Sequence, residues 1–200
     1  MRKSIEIQIL EKVRRKARGT LFFTDSILKE ERSDAVRKAL ERLVKSGELE
    51  RVATGIYTRP VIDQYIGKVM PGIEDVAIAI AQRDRATIMP TGSYAMYKLG
   101  LSTQVPMNIV YSTDTSARKI KIGRQTITFK KASSRNLAYI GEKSKLAIQA
   151  LRTIGKDQAT QNEIRQIKEI LKKEDPARLR HDLDLAPEWI REVLKPKNND

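Results

Sequence analysis

The chain lacks cysteine altogether, and its 200 residues include one histidine and few aromatic side chains. Without cysteine there is no disulfide framework, no thiolate metal site and no cysteine nucleophile. No apolar run approaches the ~18 residues of a membrane span. The N-terminal segment places charges among its isoleucines, which is not the pattern of a signal peptide. We therefore expect a cytoplasmic protein with no membrane partner.

Basic residues are abundant, with 39 Lys and Arg against 25 Asp and Glu, giving a net charge of +14. Such a surplus favours a polyanionic partner, although a charged surface also serves solubility. Residues 1–60 carry 15 basic and 9 acidic groups, residues 61–140 carry 11 and 5, and residues 141–200 carry 13 and 11. Most of the surplus therefore lies in the first 140 residues.

The stretch from Glu31 to Pro60 predicts a helix followed by a short hairpin. Ser33 is a suitable N-cap, and Gly47 suits the left-handed end of a helix. Between them, apolar residues recur at helical spacing and define one buried stripe, namely Val36, Leu40, Leu43 and Val44. Two β-prone segments then flank Ala53-Thr54-Gly55, which is a plausible hairpin turn.

Two helices and a strand are predicted before this stretch. An amphipathic helix covers Ser4–Lys16, a β-prone run covers 20–23, and Thr24 or Asp25 caps a second short helix. Helix, strand, helix, helix and hairpin in this order are what a winged helix-turn-helix requires. The alternative is a small α/β unit with no role in DNA binding.

If the first interpretation is correct, the helix that starts at Ser33 is the recognition helix. Its first residues would face base edges, and these are Ser33, Asp34, Arg37 and Lys38. Other cations on it would contact phosphates, and these are Arg32, Arg42 and Lys45. Arg51 and Thr54 belong to the wing. A charged helix face that is simply solvated remains the alternative.

Residues 61–72 are predicted to be an interdomain linker, because prolines and glycines bracket them. From Ile73 the pattern restarts as a mixed α/β domain that extends to residue 200. The predicted elements are a helix over 73–84, a strand over 86–89 ended by Pro90, a helix over 92–99, a strand over 108–113, a hairpin over 118–130 and a helical tail. The fold class is α+β, with a winged helix-turn-helix domain over 1–60.

The predicted hairpin is the most basic part of the chain. Seven basic residues and no acidic residue fall between 118 and 135, namely Arg118, Lys119, Lys121, Arg124, Lys130, Lys131 and Arg135. This surface is a second polyanion contact, a docking face for an acidic partner, or a solvated sheet face.

Signals for catalysis are weak. His181, beside Asp182, is typical of a surface or capping residue, and no glycine pattern fits a phosphate-binding loop. Gly92-Ser93 and Asp182-Leu183-Asp184 resemble the paired motifs of nucleotidyltransferases, whose carboxylates hold metal near phosphates. The two motifs are about 90 residues apart and the acidic pair falls in a helical pattern. We expect no enzymatic activity, no cofactor and no bound metal.

Several segments together resemble a known family. They are LERLVKSGELERVATGIYTRP, TGSYAMYKLG, LGLSTQVP at 99–106, NIVYST and the RKIKIG…ITFKK hairpin. With them the chain resembles AbiEi-type antitoxins and related transcriptional regulators of abortive-infection (type IV) toxin–antitoxin modules. The resemblance extends from about Ile5 to Leu194, and LGLSTQVP is its most specific part.

The resemblance implies a repressor that binds inverted repeats at its own promoter through the winged helix. DNA contacts then fall on Ser33, Arg37, Lys38, Arg42 and Thr54. It also implies a C-terminal domain that counters a nucleotidyltransferase-like toxin, with that toxin or its RNA target as partner, through Lys119, Lys121, Lys130 and Lys131. A monomer that binds DNA cooperatively and a dimer on DNA both stay open. Within LGLSTQVP, we expect Leu99, Leu101, Val105 and Pro106 to be buried.

Overall fold

The computed structural model describes residues 3–27 and 33–195, over which the chain is a mixed α+β protein. It divides into two compact units. One is Met1–Ile80 with Ile120–Arg124, and the other is Ala81–Lys119 with Gln125–Asp200. No helix within these described ranges is long and apolar enough to cross a membrane.

The first unit alternates short helices and strands. Its elements are α1 (Ile5–Arg14), β1 (Leu21–Phe23), α2 (Thr24–Ile27), α3 (Ser33–Lys45), β2 (Glu50–Ala53), β3 (Ile56–Thr58), β4 (Val61–Asp63), β5 (Gly67–Val69) and α4 (Ile73–Asp84). The unit boundary falls inside α4, after Ile80. The predicted positions of α1, β1, α3 and α4 are confirmed to within two residues.

The core of this unit lies between α1 and α3. The Ser4 hydroxyl accepts a hydrogen bond from the Ile7 N–H and caps α1. Ile9 and Val13 recur at i and i+4 on α1, as do Val36 and Leu40 on α3, and all four are buried. This spacing places each set on one helix face, so the two faces bury each other.

A three-stranded antiparallel sheet in the order β1-β3-β2 completes the fold of this segment. β1 pairs Phe22 with Tyr57, and β2 pairs Arg51 with the same Tyr57. The register shifts between Arg51 and Ala53, as at a β-bulge. The sheet therefore joins a strand that precedes α3 to the hairpin that follows it.

Residues 61–72, assigned to a linker from the sequence, contain a hairpin. β4 and β5 form a two-stranded antiparallel sheet in which Val61 pairs with Val69 and Asp63 with Gly67. Arg18 donates to the Pro60 carbonyl at 3.0 Å, just before the hairpin begins. Pro60 and the nearby glycines therefore mark the ends and the turn of this hairpin.

The second unit contains a sheet and six helices within the described residues. Its elements after α4 are β6 (Ile88–Thr91), α5 (Gly92–Leu99), β7 (Asn108–Thr113), β8 (Arg118–Ile122), β9 (Gln125–Lys131), α6 (Ser134–Leu137), α7 (Glu142–Ile154), α8 (Gln161–Leu171), α9 (Pro176–Leu185) and α10 (Glu188–Leu194). The hairpin tip, Ile120–Arg124, groups with the first unit.

Strand order in this sheet is β6-β7-β9-β8. β6 runs antiparallel to β7, whereas β7 runs parallel to β9, with Ile109 opposite Ile127 and Tyr111 opposite Phe129. The sequence predicted the β8–β9 hairpin, and its turn at Gly123 has a φ of 56°. It did not predict the parallel pairing of β9 with β7.

The predicted end of β6 is wrong. Pro90 was expected to terminate a strand over 86–89, but it lies inside β6, opposite Tyr111. Over the residues that the structure describes, β6 pairs with β7 on one side and is an edge strand. A proline is compatible with such a strand because its missing N–H can face the unpaired edge.

Candidate functional site

The outer face of α3 carries charged side chains of both signs. Its buried residues are Val36, Ala39, Leu40 and Leu43, whereas Val44, which was also predicted on the buried stripe, is only half-buried. The exposed charged residues are Asp34, Arg37, Lys38, Glu41, Arg42 and Lys45. A narrow apolar stripe therefore leaves most of the helix surface to four cations and two carboxylates.

Two of these cations are engaged in surface ion pairs. Arg37 donates to Asp34 Oδ1 at 2.9 Å, one turn away on the same helix. Arg42 pairs through its Nε with Glu6 of α1. Lys38 and Lys45 have no ion-pair partner within the described parts of the chain. Exposed pairs are weak, so all four cations are available to a stronger anion.

The other predicted DNA contacts are Arg32, Ser33, Arg51 and Thr54. Arg32 lies outside the described residues, and Ser33 is the first residue of α3. Arg51 on β2 and Thr54 in the β2–β3 turn are both exposed. The Gly55 carbonyl of this turn accepts the Thr24 N–H at 3.0 Å, which fixes the turn against the start of α2.

One cation of the first unit that sequence reasoning missed has a structural role. Lys12 on α1 donates through Nζ to the Ile27 carbonyl at 2.6 Å, at the end of α2. This contact joins α1 to α2, whose last described residue is Ile27. The contact is visible only in the structure, because the sequence does not show that Ile27 lies next to Lys12.

The four lysines predicted on the β8–β9 hairpin are all exposed. Lys119 and Lys121 alternate with the half-buried Ile120 and Ile122 along β8, and Lys130 and Lys131 end β9. None of the four has a side-chain hydrogen bond or ion pair to any described residue. The hairpin thus presents cations that are not neutralised locally.

Arg118, the first cation of this basic run, has a different environment. Its guanidinium pairs with Asp84 and lies 5.2 Å from the centre of the Phe129 ring. Burial disfavours the Asp84 carboxylate, but hydrogen bonds and charge from Arg83 and Arg118 outweigh it and lower the pKa of Asp84. Arg118 therefore stabilises the unit.

A pair of acidic side chains holds the N-terminus of α7. Asp182 is 0% exposed and accepts hydrogen bonds from the N–H groups of Ile140 and Gly141, both at 2.9 Å, and from the Ser144 hydroxyl at 2.5 Å. Glu174 accepts the N–H groups of Lys143 and Ser144. We call this arrangement the α7 clasp.

The α7 clasp gives Asp182, part of the acidic motif that resembled a metal site, a structural role. Asp182 is occupied by donors, including His181 Nδ1 at 3.0 Å from Oδ1, whereas Asp184 on the same helix is exposed. His181 thus contacts a carboxylate from the surface. Where the structure is described, no group of three or more His, Asp or Glu side chains is placed to hold a metal ion.

The LGLSTQVP segment connects α5 to β7. Leu99 is buried, and Leu101 and Pro106 are half-buried, but Val105 is 55% exposed, so its predicted burial is wrong. The segment is irregular: the Ser102 hydroxyl accepts the Gln104 N–H, and sheet pairing starts only near Met107, whose carbonyl accepts the Thr126 N–H. Without strand geometry, alternate residues need not point inward.

These features define a mixed α+β protein with a charged face on α3 and a basic β8–β9 hairpin. In a comparison with known families, residues 8–179 match the model of DUF6088, a family of unknown function. The chain belongs to this family. No curated protein matches it significantly.

Proposed function

We propose that the protein is a DNA-binding transcriptional repressor and antitoxin that acts by binding and not by catalysis. The first unit would bind inverted repeats at its own promoter in the cytoplasm. The observation that carries this proposal is the outer face of α3, with four exposed cations on a helix that leads directly into the β2–β3 hairpin.

The order of elements supports a winged helix-turn-helix. α1, β1, α2, α3, β2 and β3 follow one another, and β3 lies between β1 and β2 in the sheet. In such domains the second helix of the helix-turn-helix enters the major groove and the hairpin lies beside it. On this assignment, Arg37 and Lys38 read base edges, whereas Arg42 and Lys45 contact phosphates.

A binding titration tests this proposal. Fluorescence anisotropy would compare a duplex carrying the sequence upstream of the gene with a scrambled duplex of equal length, both at physiological salt. We expect the upstream duplex to bind at least ~1,000-fold more tightly, as specific sites do. Equal affinity for the two duplexes would contradict sequence-specific repression.

The basic hairpin supports the antitoxin part of the proposal. Lys119, Lys121, Lys130 and Lys131 are exposed and lack acidic partners in the described regions. The partner would be a nucleotidyltransferase-like toxin or its RNA target, as the resemblance to AbiEi-type antitoxins implies. A protein or RNA interaction module that acts mainly through residues 118–135, without specific DNA binding, is the second candidate function.

Charge reversal in the full chain separates these possibilities. We expect K119E/K121E to abolish rescue of cells that express the adjacent gene, which the proposal predicts to encode the toxin, while operator binding is kept. K156E/K173E is the matched control, because both lysines are exposed and lie outside the hairpin. Rescue by K119E/K121E at the wild-type level would show that Lys119 and Lys121 are not needed for antitoxicity.

A further inference from the structure

The β4–β5 hairpin concentrates the exposed apolar surface of the protein. Ten large apolar side chains are exposed among the described residues, and five of them lie between Val61 and Met70. Tyr65 is 85% exposed, Ile66 is 75% exposed and Ile62 is 56% exposed. A single exposed apolar residue is ordinary, but a cluster of this kind marks an interaction surface.

The hairpin holds these side chains in a fixed turn. Asp63 Oδ1 accepts the N–H groups of Tyr65 at 2.8 Å and Ile66 at 3.1 Å. Gly67 follows with a φ of 75°, a conformation that suits glycine. At the base, Lys68 Nζ lies 2.5 Å from Glu50 Oε1 of β2. The turn and the base are therefore tied by specific contacts.

The charge of residues 61–70 indicates which kind of partner this surface can bind. Residues 61–70 contain one acidic and one basic side chain, Asp63 and Lys68, and both are used within the first unit. The Lys68–Glu50 pair is exposed and therefore weak, but residues 64–67 at the tip carry no charge that could attract a nucleic acid or an acidic protein. A second copy of a chain with a net charge of +14 is repelled by most of its surface, but not by this neutral segment.

Topology also favours a second copy. Among the described residues, β4 and β5 form a sheet of two strands. Such a sheet has two outer edges, and a two-stranded hairpin gains stability from further strands or from packing on its apolar face. Two identical hairpins related by a two-fold axis would offer each other both features, because an isologous interface joins the same patch on each subunit.

We propose that the β4–β5 hairpin is a self-association surface, at which two copies of this chain pack their hairpins together through Ile62, Tyr65 and Ile66. The contact is small beside the ~20–30 residues per side of a stable interface. It therefore forms a weak, reversible dimer. The proposal concerns the free protein and does not depend on DNA binding.

Sedimentation equilibrium of the full chain without DNA tests this proposal. We expect the average mass to rise from 22.8 kDa towards twice that value as concentration increases from micromolar to submillimolar. Y65S/I66S should weaken association by about tenfold or more, as loss of central apolar anchors does. Ile140→Ser is the matched control, because Ile140 is 52% exposed elsewhere in the chain. A monomer at every concentration, or equal association of Y65S/I66S and wild type, would overturn the proposal.

Cross-linking gives a second readout, which the absence of native cysteine makes simple. Tyr65→Cys places one thiol at the hairpin tip, and Ile140→Cys places one at the control position. Under mild oxidation we expect Tyr65→Cys to form a disulfide-linked dimer much faster than Ile140→Cys. Equal rates for the two variants would show random collision and would overturn the proposed contact.

Discussion

Asp34 and Arg37 show how one residue can limit its neighbour on a binding face. Their ion pair spans one turn of α3, and both side chains are more than half exposed. An exposed pair contributes little to folding, so a phosphate or a guanine edge can displace Asp34 from Arg37. If α3 contacts DNA as proposed, the Asp34 carboxylate should weaken binding to any duplex by repelling phosphates, and only a well-placed acceptor should replace it at Arg37.

Alanine substitution separates base readout from phosphate contact. Arg37→Ala should cost about 1–3 kcal/mol at the cognate site and relax base preference. Lys45→Ala should weaken operator and scrambled DNA alike and reduce the salt slope by about one. Anisotropy titrations over a salt series measure both quantities. If Arg37→Ala weakened both duplexes equally, Arg37 would be a phosphate contact.

Asp34→Ala should have the opposite effect on general affinity. It removes a negative charge from the α3 face and releases Arg37 from its partner. We expect tighter binding to scrambled DNA and a smaller ratio between operator and scrambled affinities. The same titration measures this ratio. Unchanged binding to scrambled DNA would mean that Asp34 lies away from the duplex.

Gly141 is a residue whose role is steric. A Cβ built there would lie 2.9 Å from Glu174 Oε2 and 3.0 Å from Asp182 Oδ2, and would clash with the Ser144 hydroxyl. Gly141→Ala should therefore destabilise the second unit by about 1–3 kcal/mol, a typical cost of overpacking. Trp189, the only tryptophan, packs on the core of this unit and reports its unfolding in urea. Ser133→Ala, at the start of α6, should leave the midpoint unchanged.

At the scale of elements, local patterns were readable and distant pairings were not. The positions of α3 and of the β8–β9 hairpin follow from periodicity and a turn glycine, which act between near neighbours. The parallel pairing of β7 with β9 depends on which strands meet in space. The β4–β5 hairpin was missed because its short strands carry exposed apolar residues and lack the buried alternation of a typical strand.

The α7 clasp is another element that depends on distant residues. Asp182 and Glu174 reach an N-terminus about 30–40 residues away in sequence. Burial opposes ionisation of Glu174, but hydrogen bonds from the N–H groups of Ser144, Lys143 and Asp175 outweigh it, so its pKa is lowered. From the sequence alone, the Asp182 motif resembled a metal site because its donors were not visible.

The lowered pKa of Glu174 predicts a pH-dependent contribution to stability. Since the folded state favours the carboxylate, the contribution is present above the unfolded pKa of about 4.3. It is lost as pH falls through the lower folded pKa. Compared by Trp189 fluorescence in urea, Glu174→Gln should be less stable than wild type at neutral pH, and the difference should shrink in acid. A constant difference from neutral to acidic pH would exclude this role.

At the scale of the whole molecule, the cations of the described residues fall into two groups. The α3 face and the β8–β9 hairpin present cations that are free or weakly paired, whereas Lys12 and Arg118 are used inside the fold. The net charge of +14 was visible in the sequence. Which cations are available to a partner was not, because that depends on the carboxylates and carbonyls that folding brings near them.

The central claim is that α3 contacts DNA, and site-directed photo-cross-linking tests it most directly. Lys38→Cys in this cysteine-free chain would carry a photoreactive label on the exposed face of α3, and Lys173→Cys would carry it at an exposed control position. We predict that light links the label at position 38 to the upstream duplex and leaves the label at position 173 unlinked. Equal linkage from both positions, or none from position 38 at a concentration that saturates the duplex, would contradict the account.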